Sequence, residues 1–285
     1  MGFLATTMMN IQIDQRILSS LALFIDHKLL KQNAFTNATG AFYPITSQYA
    51  GLYAYSLPYK QIVNDVSITG ATIMSGVYHN GTFLTPGTGN FYGINHYEGV
   101  VYFTQPISNP STTLSGVFAY KDFSVKVTDK TDYKLLFDGK YVPNQKYASN
   151  PTGIEEDVEV FPIIYLRPTS SENRPFALAG LDDNTIMVRA VMIAEDMYKV
   201  MGAANILKDL RLKPLPVYSS LPFNQMGLYT GAPYDFEQLP QYLTNSPIIW
   251  KAKTVTVSSK GDDFNLLDKK TAFVDFEIRL LSTHP

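Results

Sequence analysis

Four histidines (His27, His79, His96 and His284) and several clustered acids are the side chains that could do chemistry in this chain. An imidazole metal site needs ligands at short fixed spacing, such as i and i+4 on one helix face. No two of these histidines stand that way, so the sequence supports no metal ligand set. The four read as turn or surface residues. With no base placed beside a hydroxyl, no Ser-His-Asp arrangement can be built. Glu155, Glu156, Asp157 and Glu159 cluster before a strand, and Asp182-Asp183 and Asp262-Asp263 read as loop acids. Paired carboxylates can bind calcium or flank a glycosidic bond. None of these follows the twelve-residue calcium loop, and adjacent loop acids are ordinarily solvated. Gly87-Thr88-Gly89-Asn90 lacks the lysine and the following helix of a phosphate loop, so it reads as a turn. Cysteine is absent, which removes disulfides and thiolate chemistry. These residues imply no catalytic group, no cofactor and no metal.

The distribution of charge is more informative than any motif. Residues 33–120 contain only three charged side chains, Lys60, Asp65 and Glu98. An average chain carries roughly 25% charge, so about 22 would be expected over this length. Gly, Pro, Asn, Ser and Thr interrupt the stretch every few residues, so it is no membrane span. It also holds ten tyrosines. Interface cores are depleted in charge and enriched in tyrosine, whereas a free surface mixes charges. The expectation is a surface covered by other protein chains, with Tyr78, Phe83, Tyr97 and Tyr102 as contact candidates.

The elements that must position these residues follow from periodicity. Residues 11–31 read as an amphipathic helix, with Asn10 or Asp14 as its cap and Ile13, Ile17, Leu21 and Phe24 at helical spacing. Residues 33–40 read as a polar exit loop. A ladder of short strands follows. Its strongest signal is Asn80-Gly81, which supplies the two positive-φ positions of a type I′ hairpin turn. A second hairpin flanks Glu98-Gly99, and a strand over 114–120 continues into 122–127. Residues 158–166 read as a strand bent at Pro162, residues 184–193 as a buried strand, and 196–210 as a helix. Residues 248–257 form a further strand. In the last strand, 272–280, Val274, Phe276, Ile278 and Leu280 alternate with Asp275, Glu277 and Arg279. The first set is a core face, and the second is a candidate contact face. The fold class is α+β: an N-terminal helix (1–32), a hairpin-rich β subdomain (33–130), and a mixed strand–helix–strand remainder around a β-sheet (131–285).

Net charge of −2 and a pI near 6.1 oppose electrostatic nucleic-acid binding. The apolar segment 17–25 is too short for a bilayer, and the first residues lack a basic signal-peptide head. Met1-Gly2-Phe3-Leu4-Ala5-Thr6 matches the permissive myristoylation pattern, which reads as a chance match. No membrane association is expected.

Three segments taken together carry a resemblance: Val77-Tyr78-His79-Asn80-Gly81-Thr82-Phe83, Tyr97-Glu98-Gly99-Val100-Val101-Tyr102-Phe103, and Ser115-Gly116-Val117-Phe118-Ala119-Tyr120-Lys121-Asp122-Phe123. This series resembles small β-rich virion proteins of tailed bacteriophages. Pro175-Phe176-Ala177-Leu178-Ala179-Gly180-Leu181-Asp182, the strand through Arg189 and the helix ending Ile206-Leu207-Lys208-Asp209-Leu210 are similar to neck and tail-completion proteins. The resemblance covers about half the chain and rests on pattern. It implies a non-enzymatic virion protein, a tail terminator or connector, assembled in the host cytoplasm as a homo-oligomeric ring of sixfold or twelvefold symmetry. Its partners would be other neck, portal or tail proteins. DNA would pass through without specific binding, past acidic clusters lining the channel. The alternative is a receptor- or carbohydrate-binding accessory virion protein, since aromatic rings stack on sugars.

Overall fold

The computed structural model describes residues 13–138, 141–143, 152–156, 158–175, 181–218, 233–241, 246–256 and 270–283. It is an α+β, β-rich fold built of a two-sheet sandwich and a larger helix-backed sheet.

The charge-poor stretch forms the sandwich. Strands β1 (Phe35–Ala41), β2 (Tyr43–Ile45), β3 (Tyr53–Ser56), β4 (Val77–His79), β5 (Thr82–Leu84), β6 (Phe91–Asn95), β7 (Val100–Phe103) and β8 (Leu114–Lys121) arrange as two four-stranded sheets. Their orders are β1-β8-β4-β5 and β2-β3-β7-β6, with every pairing antiparallel. Phe42, Tyr55, Leu57, Phe91, Val101, Phe103 and Phe118 fill the space between them. Asn80 (φ 50) and Gly81 (φ 78) make the β4–β5 turn as the sequence predicts. Residues 33–40 correct the expectation of an exit loop: β1 pairs with β8 from Phe35↔Lys121 to Ala41↔Ser115. Its Thr-Asn-Ala-Thr-Gly composition hides the strand, because pairing with β8 rather than local propensity makes it extended.

The chain leaves the sandwich by running from β8 into β9 (Ser124–Val127), which pairs parallel to β12 (Ile163–Pro175) in the second body. Thus β9 belongs to the larger sheet although it lies within residues 33–130. That sheet runs β14-β15-β13-β12-β9, where β13 is Leu181–Ala194, β14 Ile248–Thr256 and β15 Lys270–Thr283. A short parallel pair, β10 (Tyr141–Pro143) and β11 (Glu159–Phe161), lies beside it. The Phe161–Pro162 bond between β11 and β12 is cis.

Two helices back one face of this sheet. Helix α1 (Ile13–Leu30) and helix α2 (Met197–Lys208) pack on Ile164, Leu166, Ile186, Val188, Val274, Phe276 and Ile278. Asp196 caps α2 by accepting from the Lys199 amide at 2.7 Å. The buried stripe of α2 is Val200, Ala203, Ala204 and Leu207, while Met197 at its start is exposed. The two alanines let the helix approach the sheet closely. Helix α1 is not simply amphipathic: Ser20, Asp26 and His27 are buried along with its aliphatics. It is enclosed because its sheet-facing side meets the large sheet and its C-terminal turn meets the sandwich, where Leu30 packs with Val63, Ile68 and Ala119.

Candidate interaction surfaces and the ionic seam

All three charges of the 33–120 stretch are withdrawn from solvent. Lys60 is 2% exposed, Asp65 0%, and the Glu98 side chain 16%. Lys60 Nζ donates to Glu98 Oε2 at 2.6 Å and to the Glu156 carbonyl at 2.9 Å. Around this pair lies a seam between the two bodies. The Tyr102 hydroxyl donates to Glu156 Oε1 at 2.8 Å, Lys126 on β9 pairs with Glu159 on β11 at 2.6 Å, and the Lys126 ammonium lies over the Tyr97 ring. Burial pushes the Glu98 carboxyl up to about 7, against the attraction of Lys60 and with help from Glu159 and Glu156. Burial also raises the Glu156 carboxyl and the Tyr102 phenol. The seam can therefore take up a proton near neutral pH. Glu156 and Glu159 are engaged in these pairs rather than being freely solvated loop acids.

Asp65 anchors a second seam at the end of α1. His27 Nδ1 lies 2.8 Å from Asp65 Oδ2, and the imidazole stacks flat on Phe236 at 3.9 Å between centroids. The other Asp65 oxygen accepts from the Ser67 amide and hydroxyl and from the Phe236 amide. Burial pushes this carboxyl up, but the hydrogen bonds from His27, Ser67 and the two amides outweigh it and hold it below its usual value. Next to it, Lys121 donates to Asp26 at 2.7 Å, both nearly inaccessible. His27 and His96 thus correct the surface-histidine expectation. His96 is buried too, with Nε2 2.7 Å from the Met74 carbonyl. His79 stays at the β4–β5 turn, and His284 and Asp262-Asp263 lie outside the described residues.

The residues that the 33–120 stretch leaves at the surface are uncharged and include exposed Tyr49, Tyr53, Val66, Tyr78, Phe83, Tyr92 and Val117. Of the four aromatic contact candidates, Tyr78 and Phe83 are exposed, on paired positions of β4 and β5 with rings 5.1 Å apart. Tyr97 is half-buried beneath Lys126, and Tyr102 is buried in the seam, so neither presents a free ring.

The second surface is the half of the large sheet that the helices do not cover. Arg167 and Arg189 oppose each other on β12 and β13, and Asp132 sits between them at 3.1 and 3.0 Å. Arg189 also grips its neighbour Asp275 with two bonds, at 2.7 and 3.0 Å. Those hydrogen bonds, above all the ones donated to Asp275, raise the guanidinium further. A depression of about 340 Å³ on this face is lined by Thr169, Met187, Val188, Arg189, Asp275 and Phe276. Further along β15, Glu277 is held by Lys251 at 2.6 Å and by Arg279 at 2.7 Å, and Arg279 lies over Trp250. Asp275, Glu277 and Arg279 do lie opposite the core face. Glu277, however, is buried beneath its own cations and is not an open contact residue. Asp183, read as a loop acid, is half-buried within β13, and Asp182 lies in the same strand.

Among the described residues no group of three or more His, Cys, Asp or Glu is placed to hold a metal ion, and no helix is long and apolar enough to cross a membrane. The sequence reading missed both seams. The available signal was the isolation of Lys60, Asp65 and Glu98: a lone charge in a charge-free stretch is either exposed or paired with something distant. No family model matches the chain, and no curated protein matches it.

Proposed function

We propose that this chain is a non-enzymatic structural subunit that assembles with copies of itself into a ring, of the kind found at the neck or upper tail of a tailed-phage virion. The observation that carries the assembly reading is the withdrawal of every charge in residues 33–120 from the surface, with aromatic side chains left outside. A partner can cover such a surface without stripping water from any ion, which is the chief penalty in burying a polar surface. The virion location, and sixfold or twelvefold symmetry, come from the resemblance of the hairpin series to phage neck and tail-completion proteins.

Mass measurement of the purified chain over a wide concentration range, with negative-stain images of the associated state, tests this reading. Closed rings are the expected result. A protein that stays monomeric at every concentration overturns it. Exposed Tyr49, Tyr53 and Tyr92 favour a second reading, a receptor- or carbohydrate-binding accessory virion protein. A monomer that binds neutral oligosaccharide would select it.

A further inference from the structure

We infer that the open half of the outer face of the sheet β1-β8-β4-β5 is the surface that docks on a second copy of this chain. This rests on the assembly reading and names the contact.

The sheet has one face in the sandwich core, where Phe118 and Leu114 of β8 lie. Its outer face divides along the strands. At one end Ala119 packs under Leu30, Val63 and Ile68, and Lys121 is tied to Asp26, so this half is closed by the chain itself. At the other end the register aligns Ala41, Ser115, Tyr78 and Phe83 across all four strands, with Thr39 and Val117 in the adjoining row. Tyr78 is 39% exposed, Phe83 44% and Val117 40%. The described residues leave these three side chains open to solvent, and none of the six carries a charge.

Charge complementarity selects the occupant. A charged partner surface laid on this face would lose its hydration and find no counter-ion. An uncharged surface loses nothing comparable, and each copy of the chain supplies one, because the sandwich turns all three of its ions inward, with Lys60 and Asp65 buried and Glu98 held by Lys60. Four strands about 4.8 Å apart present roughly 300 Å² of open face. A stable interface needs about 800 Å² from each partner, so the contact must spread past the sheet. The adjoining segments 85–90 and 109–113 are exposed for most of their length and contain no charged residue, so they extend the same uncharged surface.

The test uses the full chain. Sedimentation velocity compares wild type with Phe83→Glu/Val117→Glu and with a control, Lys253→Glu, on the exposed edge strand β14. The expected result is concentration-dependent association of wild type and control, weakened at least tenfold in the double variant at an unchanged thermal midpoint. If wild type assembles and the double variant assembles equally well, this surface is wrong and the assembly reading stands. If wild type never associates, both fall. Because the chain has no cysteine, Ser115→Cys provides a single thiol whose readout needs no destabilising change. Its protection from a maleimide reagent on association supports the inference. Full reactivity in the associated state overturns it, as does protection by a neutral oligosaccharide in a protein that remains monomeric.

Discussion

Lys60 Nζ lies 2.6 Å from Glu98 Oε2, so the cation and one of the two anions of an 88-residue stretch cancel each other inside the protein. Asp65 is held separately by His27 and three hydrogen-bond donors, the Ser67 amide and hydroxyl and the Phe236 amide. The uncharged exterior of the sandwich is the outward consequence of these two inward pairings. They also lock the sandwich to the rest of the molecule, because Lys60 reaches Glu156 and Asp65 reaches the end of α1.

The Glu98 pairing predicts a pH dependence with a definite sign. The folded protein holds the Glu98 proton up to about pH 7, whereas the unfolded chain releases it near 4.5. The folded state binds the extra proton in that window, so this group's contribution to stability falls as pH rises through it. The change is on the order of 3 kcal/mol. Urea unfolding at a series of pH values should show the decline, and Glu98→Gln should flatten it. Lys60→Ala, which strands a buried carboxylate, should cost about 3 kcal/mol above pH ~8 and clearly less near pH ~5.

Asp65 predicts the opposite sign at lower pH. Its folded-state pKa lies below the usual value of 3.8, so its stabilisation is complete above that value and disappears as pH falls through the folded one. Asp65→Ala would orphan His27, both Ser67 donors and the Phe236 amide together. The expected loss is about 3–5 kcal/mol at neutral pH, measured by denaturant unfolding. Faster amide exchange in residues 233–241 should accompany it. A loss below about 1 kcal/mol would show that this buried cluster does not hold the segment.

Two turn glycines should differ in sensitivity. Gly81 has φ 78 with open space around a would-be Cβ, so Gly81→Ala should cost only about 1 kcal/mol. Gly99 has φ 64, and a Cβ there would run into the Tyr59 carbonyl. Gly99→Ala should therefore lower the thermal midpoint well beyond the Gly81 variant. Equal shifts would contradict the close backbone approach.

The last strand gives two contrasting substitutions. Phe276 is wholly buried in the helix-backed core, so Phe276→Ala should cost ~3–5 kcal/mol. Glu277→Lys would put a third cation between Lys251 and Arg279 in place of their shared acceptor. It should lower the thermal midpoint of the isolated subunit, an effect absent from a double variant that also carries Lys251→Glu. An unchanged midpoint for the single variant would show that the pairing on this face is slack.

Much of the fold was legible in the sequence because its signals are local. Asn80-Gly81 specifies a turn through the φ values its residues tolerate, and alternation over 272–280 specifies a face because side chains in a strand point alternately. The strand at 35–41 escaped because its small polar residues become extended only by pairing with β8, some eighty positions away. Strand and helix periods, the turn at Asn80-Gly81 and the scarcity of charge between residues 33 and 120 are all written in the order of residues alone. Folding in three dimensions is what buries Lys60 and Asp65, turns Glu98 onto Lys60, brings Asp26 to Lys121 and encloses Glu277 among its neighbours. Spacing along the chain fixes which way a side chain points. Glu98 for Lys60, Lys121 for Asp26 and Lys251 for Glu277 come from 26 to 95 positions away, and only the packing of sheets and helices brings them together.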